Sequence, residues 1–413
     1  MRPTEPSKWT SRTFASLAHR NYRLYFVGNF ISLIGMWMKN AAESWLVFDM
    51  TRSEAMLGAV GIASSVPVIL LSTWGGVLAD RFDRRHLIIV GQIVFTFLSA
   101  ILATLVLADS IQIWHIMVLA AAAGIVSGLE SPSRYAFVVE MVGRKDLLNA
   151  IALNSSVFHA SRILGPTIAG IIIAAWGTGP CFVINTFAYA GVLTALFSMR
   201  LARRIPEPAK GSAFQQAMEG LKVAYRTPRV MALLLVMLVV GIFGWSYVIL
   251  LPSLARETLN TDATGYGWMM SATGLGSVIG ALWIASTKDM GSGRFMVGVS
   301  VGIFAVAALA LSFSTSLPIV LLLLLPCGFG LTAFFSGTNT LIQSSVSDSV
   351  RGRVMGIYTL AFGTLMPLGA LYAGSLAEWT STPLAIRVGA SICLVTAIVT
   401  LVKKPPVSDR AGR

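Results

Sequence analysis

Apolar runs of about twenty residues recur along almost the whole chain, and they limit what it can fold into more than any other feature. A bilayer core is ~30 Å thick, and a helix crosses it in about 20 residues. Twelve such runs are legible, at roughly 24–48, 56–79, 87–108, 112–130, 149–175, 181–199, 230–251, 265–286, 295–314, 317–336, 354–376 and 383–402. Charged residues are 12% of the 413, half the roughly 25% of a soluble domain, too few to face water. The predicted fold class is all-α integral membrane, with twelve transmembrane helices. The longest polar gap, 200–229, follows the sixth run and divides the chain. The expected organisation is a six-helix bundle over 1–200, a linker over 201–229, a second six-helix bundle over 230–402 and a tail over 403–413.

Basic residues set the orientation. With the N-terminus, the even-numbered loops and the C-terminus on one side, 26 of the 31 Lys and Arg fall there. Arg52, Arg256 and Arg387 fall opposite, and Lys39 and Arg162 lie inside runs. That bias assigns both termini to the cytoplasm. It also argues against nucleic acid as the meaning of the +13 net charge, because the charge is spread between runs and forms no patch. Trp45, Trp114, Trp176, Trp268 and Trp379 are predicted at outer helix ends, as an interfacial belt. Residues 1–23 have no apolar core, so no cleavable signal peptide is expected. Cys181, Cys327 and Cys393 stand alone in apolar runs, and the four histidines form no cluster, so no metal or cofactor is expected. In the linker, Phe214, Met218, Leu221 and Tyr225 recur at helical spacing and read as a tether on the inner membrane surface.

Between runs two and three stands Gly75-Gly76-Val77-Leu78-Ala79-Asp80-Arg81-Phe82-Asp83-Arg84-Arg85. A plain basic anchor would need the arginines but not Gly76, Leu78 or Asp80. The glycines allow close helix approach and a tight turn, Asp80 suits a helix N-terminus or an arginine, and Arg81, Arg84 and Arg85 suit phosphates or carboxylates. The pattern resembles the signature loop of the major facilitator superfamily, and Asp-Arg-Phe-Asp-Arg-Arg is similar to the branch containing enterobactin and macrolide exporters. The resemblance implies a conformational gate, with the Asp80 position reaching the start of helix eleven at Arg351-Gly352-Arg353 and with Glu130 and Arg134 completing a charge network. Gly35-x-Trp37, Trp45-Leu46-Val47-Phe48, Ser131-Pro132-Ser133-Arg134 and Asp146-Leu147-x-Asn149-Ala150 resemble the same branch. Arg162-x-Leu164-Gly165-Pro166-x-x-Ala169-Gly170 resembles the helix-five antiporter motif, with Ala169 in place of one glycine. An internal echo supports two pseudo-symmetric halves: Trp74 to Leu78 is faintly repeated at Val278 to Leu282, and Pro166 at Pro367.

Charges within runs are the sharpest functional clue, since each costs about 2.5–3.5 kcal/mol at mid-span. Lys39 and Glu43 are spaced i, i+4 and can pair; alternatively the first run ends near Met38 and both are loop residues. Arg162 lies mid-helix, to fix an anionic substrate, offset a titrating carboxylate or tie to a backbone carbonyl. His159 shares its face. With Asn40 and Asn154, these residues form the expected substrate and proton pathway, in which Glu43 is the one clear intramembrane carboxylate. Asn29 and Asn185 add polarity, while the second half offers only Asn339, Gln343, Trp245 and Tyr247. So apolar a lining suits an amphiphilic or aromatic cargo better than a sugar.

The expected function is secondary transport by alternating access: proton-coupled efflux of an amphiphilic small molecule of drug or siderophore type, by a monomer in the bacterial cytoplasmic membrane. Protons, the cargo and membrane lipids are the expected partners. A lysophospholipid transporter is the alternative. An enzyme is disfavoured, because no catalytic constellation shares one membrane depth.

Overall fold

The computed structural model describes residues 15–200, 222, 225–287, 293–346 and 348–402. Twelve long helices and no strands occur among them. After a short turn at Ala15–Ala18 come α1 (Arg20–Thr51), α2 (Glu54–Arg81) and α3 (Arg84–Leu107). Next are α4 (Ile113–Gly143), α5 (Asn149–Trp176) and α6 (Gly179–Ser198). The second half holds α7 (Pro228–Thr258), α8 (Ala263–Ser286), α9 (Arg294–Leu311) and α10 (Leu317–Ser344), then α11 (Asp348–Trp379) and α12 (Thr382–Val402). Ten of these are long and apolar enough to cross a membrane; α1 and α11 are 32 residues each, longer than the ~20 a crossing needs. Leu70, Trp74, Phe97, Phe187 and Leu322 point outward at 65–72% exposure. Such faces would aggregate in water and are at home in lipid.

Two boundaries differ from the sequence reading. α4 does not end near 130 but runs to Gly143, where φ is 68° and ψ 178°. A side chain is strongly disfavoured there, so the glycine sets the break. Glu130 and Arg134 are therefore interior residues of α4, and Arg134 leaves the set of loop cations. α7 is irregular from Val240 to its end, with π turns at Val240–Gly244 and Leu254–Thr258 on either side of a 3₁₀ turn at Trp245–Val248. The linker tether at 214–225 falls almost wholly outside the described residues.

The helices pack as two compact units. The first is Met1–Glu43 with Pro67–Ala209; the second is Ser44–Val66 with Lys210–Arg413. The corner between α1 and α2 thus packs within the second unit, although it precedes the linker by some 150 residues. Tyr22, Tyr25, Ile88, Phe137, Met141, Val192 and Leu196 form the first unit's core.

A crossing motif is repeated once in each unit. A Cβ on Gly75 of α2 would stand 2.8 Å from the Leu129 carbonyl oxygen of α4. A Cβ on Gly280 of α8 would stand 2.5 Å from the Phe329 carbonyl oxygen of α10. Gly128 and Gly328 serve the partner helices of the same two crossings. Small residues let membrane helices approach this closely, and the repetition is a physical counterpart of the faint echo in sequence.

The tryptophans divide. Trp114, Trp176, Trp268 and Trp379 are 50–82% exposed, whereas Trp45 is 7% exposed. Trp45 is not part of an interfacial belt: it stacks on Tyr266 of α8 at 5.8 Å, with the Arg256 guanidinium 5.9 Å from its ring centre. Cys181, Cys327 and Cys393 are buried free thiols.

Candidate functional site

The charged hinge is mostly helix. α2 continues through Arg81, leaving Phe82 and Asp83 between helices, so Gly76, Leu78, Asp80 and Arg81 lie on α2 while Arg84 and Arg85 open α3. The helix N-terminus is taken by Asp83, not Asp80: Asp83 Oδ1 accepts from the His86 N–H at 3.0 Å. Asp80 is 3.9 Å from Arg84 Nη2. Arg84 is the hub, donating to Glu140 Oε1 at 2.8 Å and to the Ala79 carbonyl at 3.2 Å. Arg85 donates to the Phe197 carbonyl at 3.4 Å, and Arg81 is exposed. The close approach falls at Gly75; a Cβ on Gly76 would meet nothing within 4 Å. The side chains of Arg351 and Arg353 lie outside the described set.

Glu130 and Arg134 form a separate network deeper in the first unit. Glu130 is 4% exposed. Its carboxylate accepts from Arg134 Nη2 at 2.6 Å and from Gln92 Nε2 of α3 at 3.2 Å. Arg134 also donates to Asn29 Oδ1 at 3.4 Å and bonds the Tyr25 hydroxyl, both on α1. Three helices thus meet around one ion pair. Glu130 is a second intramembrane carboxylate, which the sequence reading did not count because it ended the span at that residue.

Lys39 and Glu43 lie within α1, which continues to Thr51, and their charged groups are paired. Glu43 is 7% exposed. Arg162 of α5 is 8% exposed, with its guanidinium 5.8 Å from the Trp37 ring centre. Phe158 meets Trp37 edge-on at 5.6 Å. The Trp37 indole N–H is buried and has no hydrogen-bond partner among the described residues. Gly165 brings α5 against α1: a Cβ there would stand 2.6 Å from Trp37 Cβ and 2.8 Å from the Met38 nitrogen. Pro166 and Gly170 are buried on the same stretch. Asn154 accepts from the Tyr22 hydroxyl at 3.1 Å, so it ties α5 to α1. Asn40 is exposed, and the His159 side chain is outside the described set.

The Asp146–Asn149 motif also has a mechanical meaning. Asn149 Oδ1 accepts from Ser16 N and Oγ at 3.0 and 2.6 Å, and Asp146 meets His19 Nε2 at 2.8 Å. These bonds pin the turn before α1 to the start of α5.

The second unit has one buried charge among its described residues, Glu54 at 6% exposure. Its Oε1 accepts from Ser253 Oγ at 2.6 Å and Thr382 Oγ1 at 2.9 Å. Glu54 falls between the first two apolar runs, and no local signal in the sequence marks its burial.

Residues 11–412 match a family model described as "Transmembrane secretion effector". The chain is 26% identical over 368 residues to the staphyloferrin A transporter of Staphylococcus aureus (strain NCTC 8325 / PS 47), covering 86% of this chain and 89% of that protein. It is 24% identical over 407 residues to the enterobactin exporter EntS of Salmonella choleraesuis (strain SC-B67), covering 95% and 96%. Among solved structures, the nucleoside transporter NupG matches with a TM-score of 0.68 at 11% identity, covering 93% of this chain and all of that one. At that identity the match speaks for the fold.

Proposed function

We propose a cargo class and a coupling ion for this chain, which belongs to the transmembrane secretion effector family of major facilitator superfamily transporters. It exports an amphiphilic small molecule of siderophore or drug type by alternating access, driven by proton entry. It works as a monomer in the bacterial cytoplasmic membrane with both termini inside.

The observation that carries this reading is the ion pair of the half-buried Lys39 with the buried Glu43 on α1. A lone charge at such depth is costly, and each of these groups is kept by the other. A proton arriving at Glu43 removes its charge and releases Lys39, which links protonation to the contents of the first unit's interior. At Glu43 the proton competes with one charged donor. At Glu130 it competes with Arg134 and Gln92 together, so Glu43 is assigned the coupling and Glu130 a fixed structural charge. For the cargo, the Arg162 guanidinium, the Trp37 ring and its buried N–H offer a cation, an aromatic face and a donor side by side. That set suits a molecule with aromatic surface and an anionic or carbonyl oxygen.

The cargo is identified by thermal-shift screening of purified protein against siderophores, macrolides and lysolipids, since a ligand that binds only the folded state raises its stability. Stabilisation by lysolipids alone would instead favour the lipid-transport alternative. In proteoliposomes loaded with the cargo, Glu43→Gln is expected to abolish efflux driven by a pH gradient while leaving cargo binding intact. Continued gradient-driven efflux by this variant would remove Glu43 from the coupling role.

A further inference from the structure

Arg84 and Arg85 are adjacent in the charged hinge, yet they serve different neighbours. Arg84 turns to Glu140 and Asp80. Arg85, about 100° further round α3, reaches the last turn of α6 and donates to the Phe197 carbonyl at 3.4 Å. Arg20, which opens α1, donates to the next carbonyl, that of Ser198, also at 3.4 Å. Arg200, just past α6, is held beside them by Asn21 of α1. Asn21 Nδ2 donates to the Arg200 carbonyl at 2.9 Å, and the Arg200 N–H donates to Asn21 Oδ1 at 3.2 Å. Three arginines, from α1, α3 and the exit of α6, therefore stand round one helix end.

A helix C-terminus attracts cations, but it carries only about half a negative charge. None of the three arginines takes part in an ion pair among the described residues. The acidic side chains of this end are engaged elsewhere: Asp80 and Glu140 by Arg84, Asp83 at the start of α3, and Asp146 by His19. The donors are under-used as well. A guanidinium has five N–H donors, whereas Arg20 and Arg85 each make one long bond. Arg85 Nε bonds nothing among the described residues, and Arg200 is exposed. Positive charge and hydrogen-bond donors are left over for an external anion.

Apolar surface continues from the arginines. On α1, exposed Arg20 and Arg23 head a face that runs on through Val27 and Ile31, 54% and 47% exposed. On α6, Phe197 is 63% exposed beside Arg200. The two helices lie side by side, since a Cβ on Gly28 would meet the Gly191 carbonyl oxygen at 3.0 Å. A free phosphate needs the arginines alone. A phospholipid needs both features, a cationic rim for its headgroup and an apolar helix face for its acyl chains, and basic pockets between membrane helices suit such headgroups.

We propose that the ends of α1, α3 and α6 that meet here bind an anionic phospholipid. Arg20, Arg85 and Arg200 hold its phosphate, for which arginine forks are suited, and Val27, Ile31 and Phe197 line an acyl chain. The site depends on neither the cargo nor the coupling ion.

The purified protein is equilibrated with detergent micelles holding phosphatidylglycerol and phosphatidylcholine in equal amounts, and native mass spectrometry counts the lipids retained. Wild type should keep phosphatidylglycerol in preference. An arginine beside an anionic headgroup contributes about a fivefold preference, so Arg200→Gln should lower the retained ratio about fivefold, and Arg20→Gln with Arg85→Gln roughly 25-fold. The Arg200 side chain bonds nothing among the described residues, so Arg200→Gln reads the site even if the double change melts early. Lys222→Gln with Arg226→Gln removes the same charge from exposed positions elsewhere and should leave the ratio as it is. Excess glycerol 3-phosphate should displace no lipid. Equal retention of the two lipids by wild type overturns the proposal, as does an unchanged ratio in Arg200→Gln or an equal fall in the Lys222 and Arg226 variant. Displacement of phosphatidylglycerol by glycerol 3-phosphate would give the site to a free phosphate and overturn it too.

Discussion

Gly75→Ala and Gly76→Ala should have opposite effects, although the residues are neighbours in one helix. A methyl at position 75 would lie 2.8 Å from the Leu129 carbonyl oxygen and 3.0 Å from Leu129 Cα, and closer still to the Gly128 carbonyl. Ordinary contact begins near 3.4 Å, so α2 and α4 must separate by about 0.6 Å or more at a crossing that is all backbone. No flexible side chain is there to yield. Overpacking of this kind costs about 1–3 kcal/mol. At position 76 the same methyl meets nothing within 4 Å, and alanine gains roughly 0.5–1 kcal/mol of helix propensity over glycine. The assay is thermal unfolding of the two purified variants in one detergent, beside wild type. Gly75→Ala is expected to melt below wild type, and Gly76→Ala at or above it. Equal melting of the two would refute the assignment of the crossing to Gly75.

Glu130→Ala leaves the Arg134 guanidinium without its buried partner, which costs about 3–5 kcal/mol; the low end applies, because the Arg134 side chain is 28% exposed. Adding Arg134→Met should restore at least half the loss in a double-mutant cycle of unfolding, whereas additive losses would show that the pair is not coupled. Asp83→Ala removes the cap on His86 N and should cost about 1 kcal/mol of stability while leaving proton-driven transport unchanged; a loss of coupling would give Asp83 a role in the gate.

The twelve helices were legible because hydrocarbon thickness imposes a length that composition displays directly. The end of α4 was not, because Glu130 and Arg134 look like a loop until the partners are known. Gln92, which makes burial of Glu130 tolerable, is 38 positions away on α3. Glu54 is the extreme case: its two donors lie 199 and 328 positions along the chain. The choice between Gly75 and Gly76 turns on helix phase, about 100° per residue, which two adjacent glycines do not reveal. Asp83 was open to a sequence reading, since an aspartate just before a helix is a common cap. The family pattern drew attention to Asp80 instead.

The distribution of buried charge bears on how the work is divided. Among the described residues four charged side chains are buried, Glu43, Glu54, Glu130 and Arg162, and all four precede the linker in sequence. From α7 onward the chain supplies hydroxyls and rings: Ser253 and Thr382 to Glu54, and Tyr266 to Trp45. A hydroxyl donates to a carboxylate without holding a charge of its own, and it can also bond the protonated carboxyl. An arginine in the same place would keep the carboxylate ionised through the cycle. Arg134 pairs with Glu130, with Gln92 alongside. By this argument, a buried carboxylate paired with arginine is held as an ion pair, whereas one with only hydroxyl partners can be held without a charge.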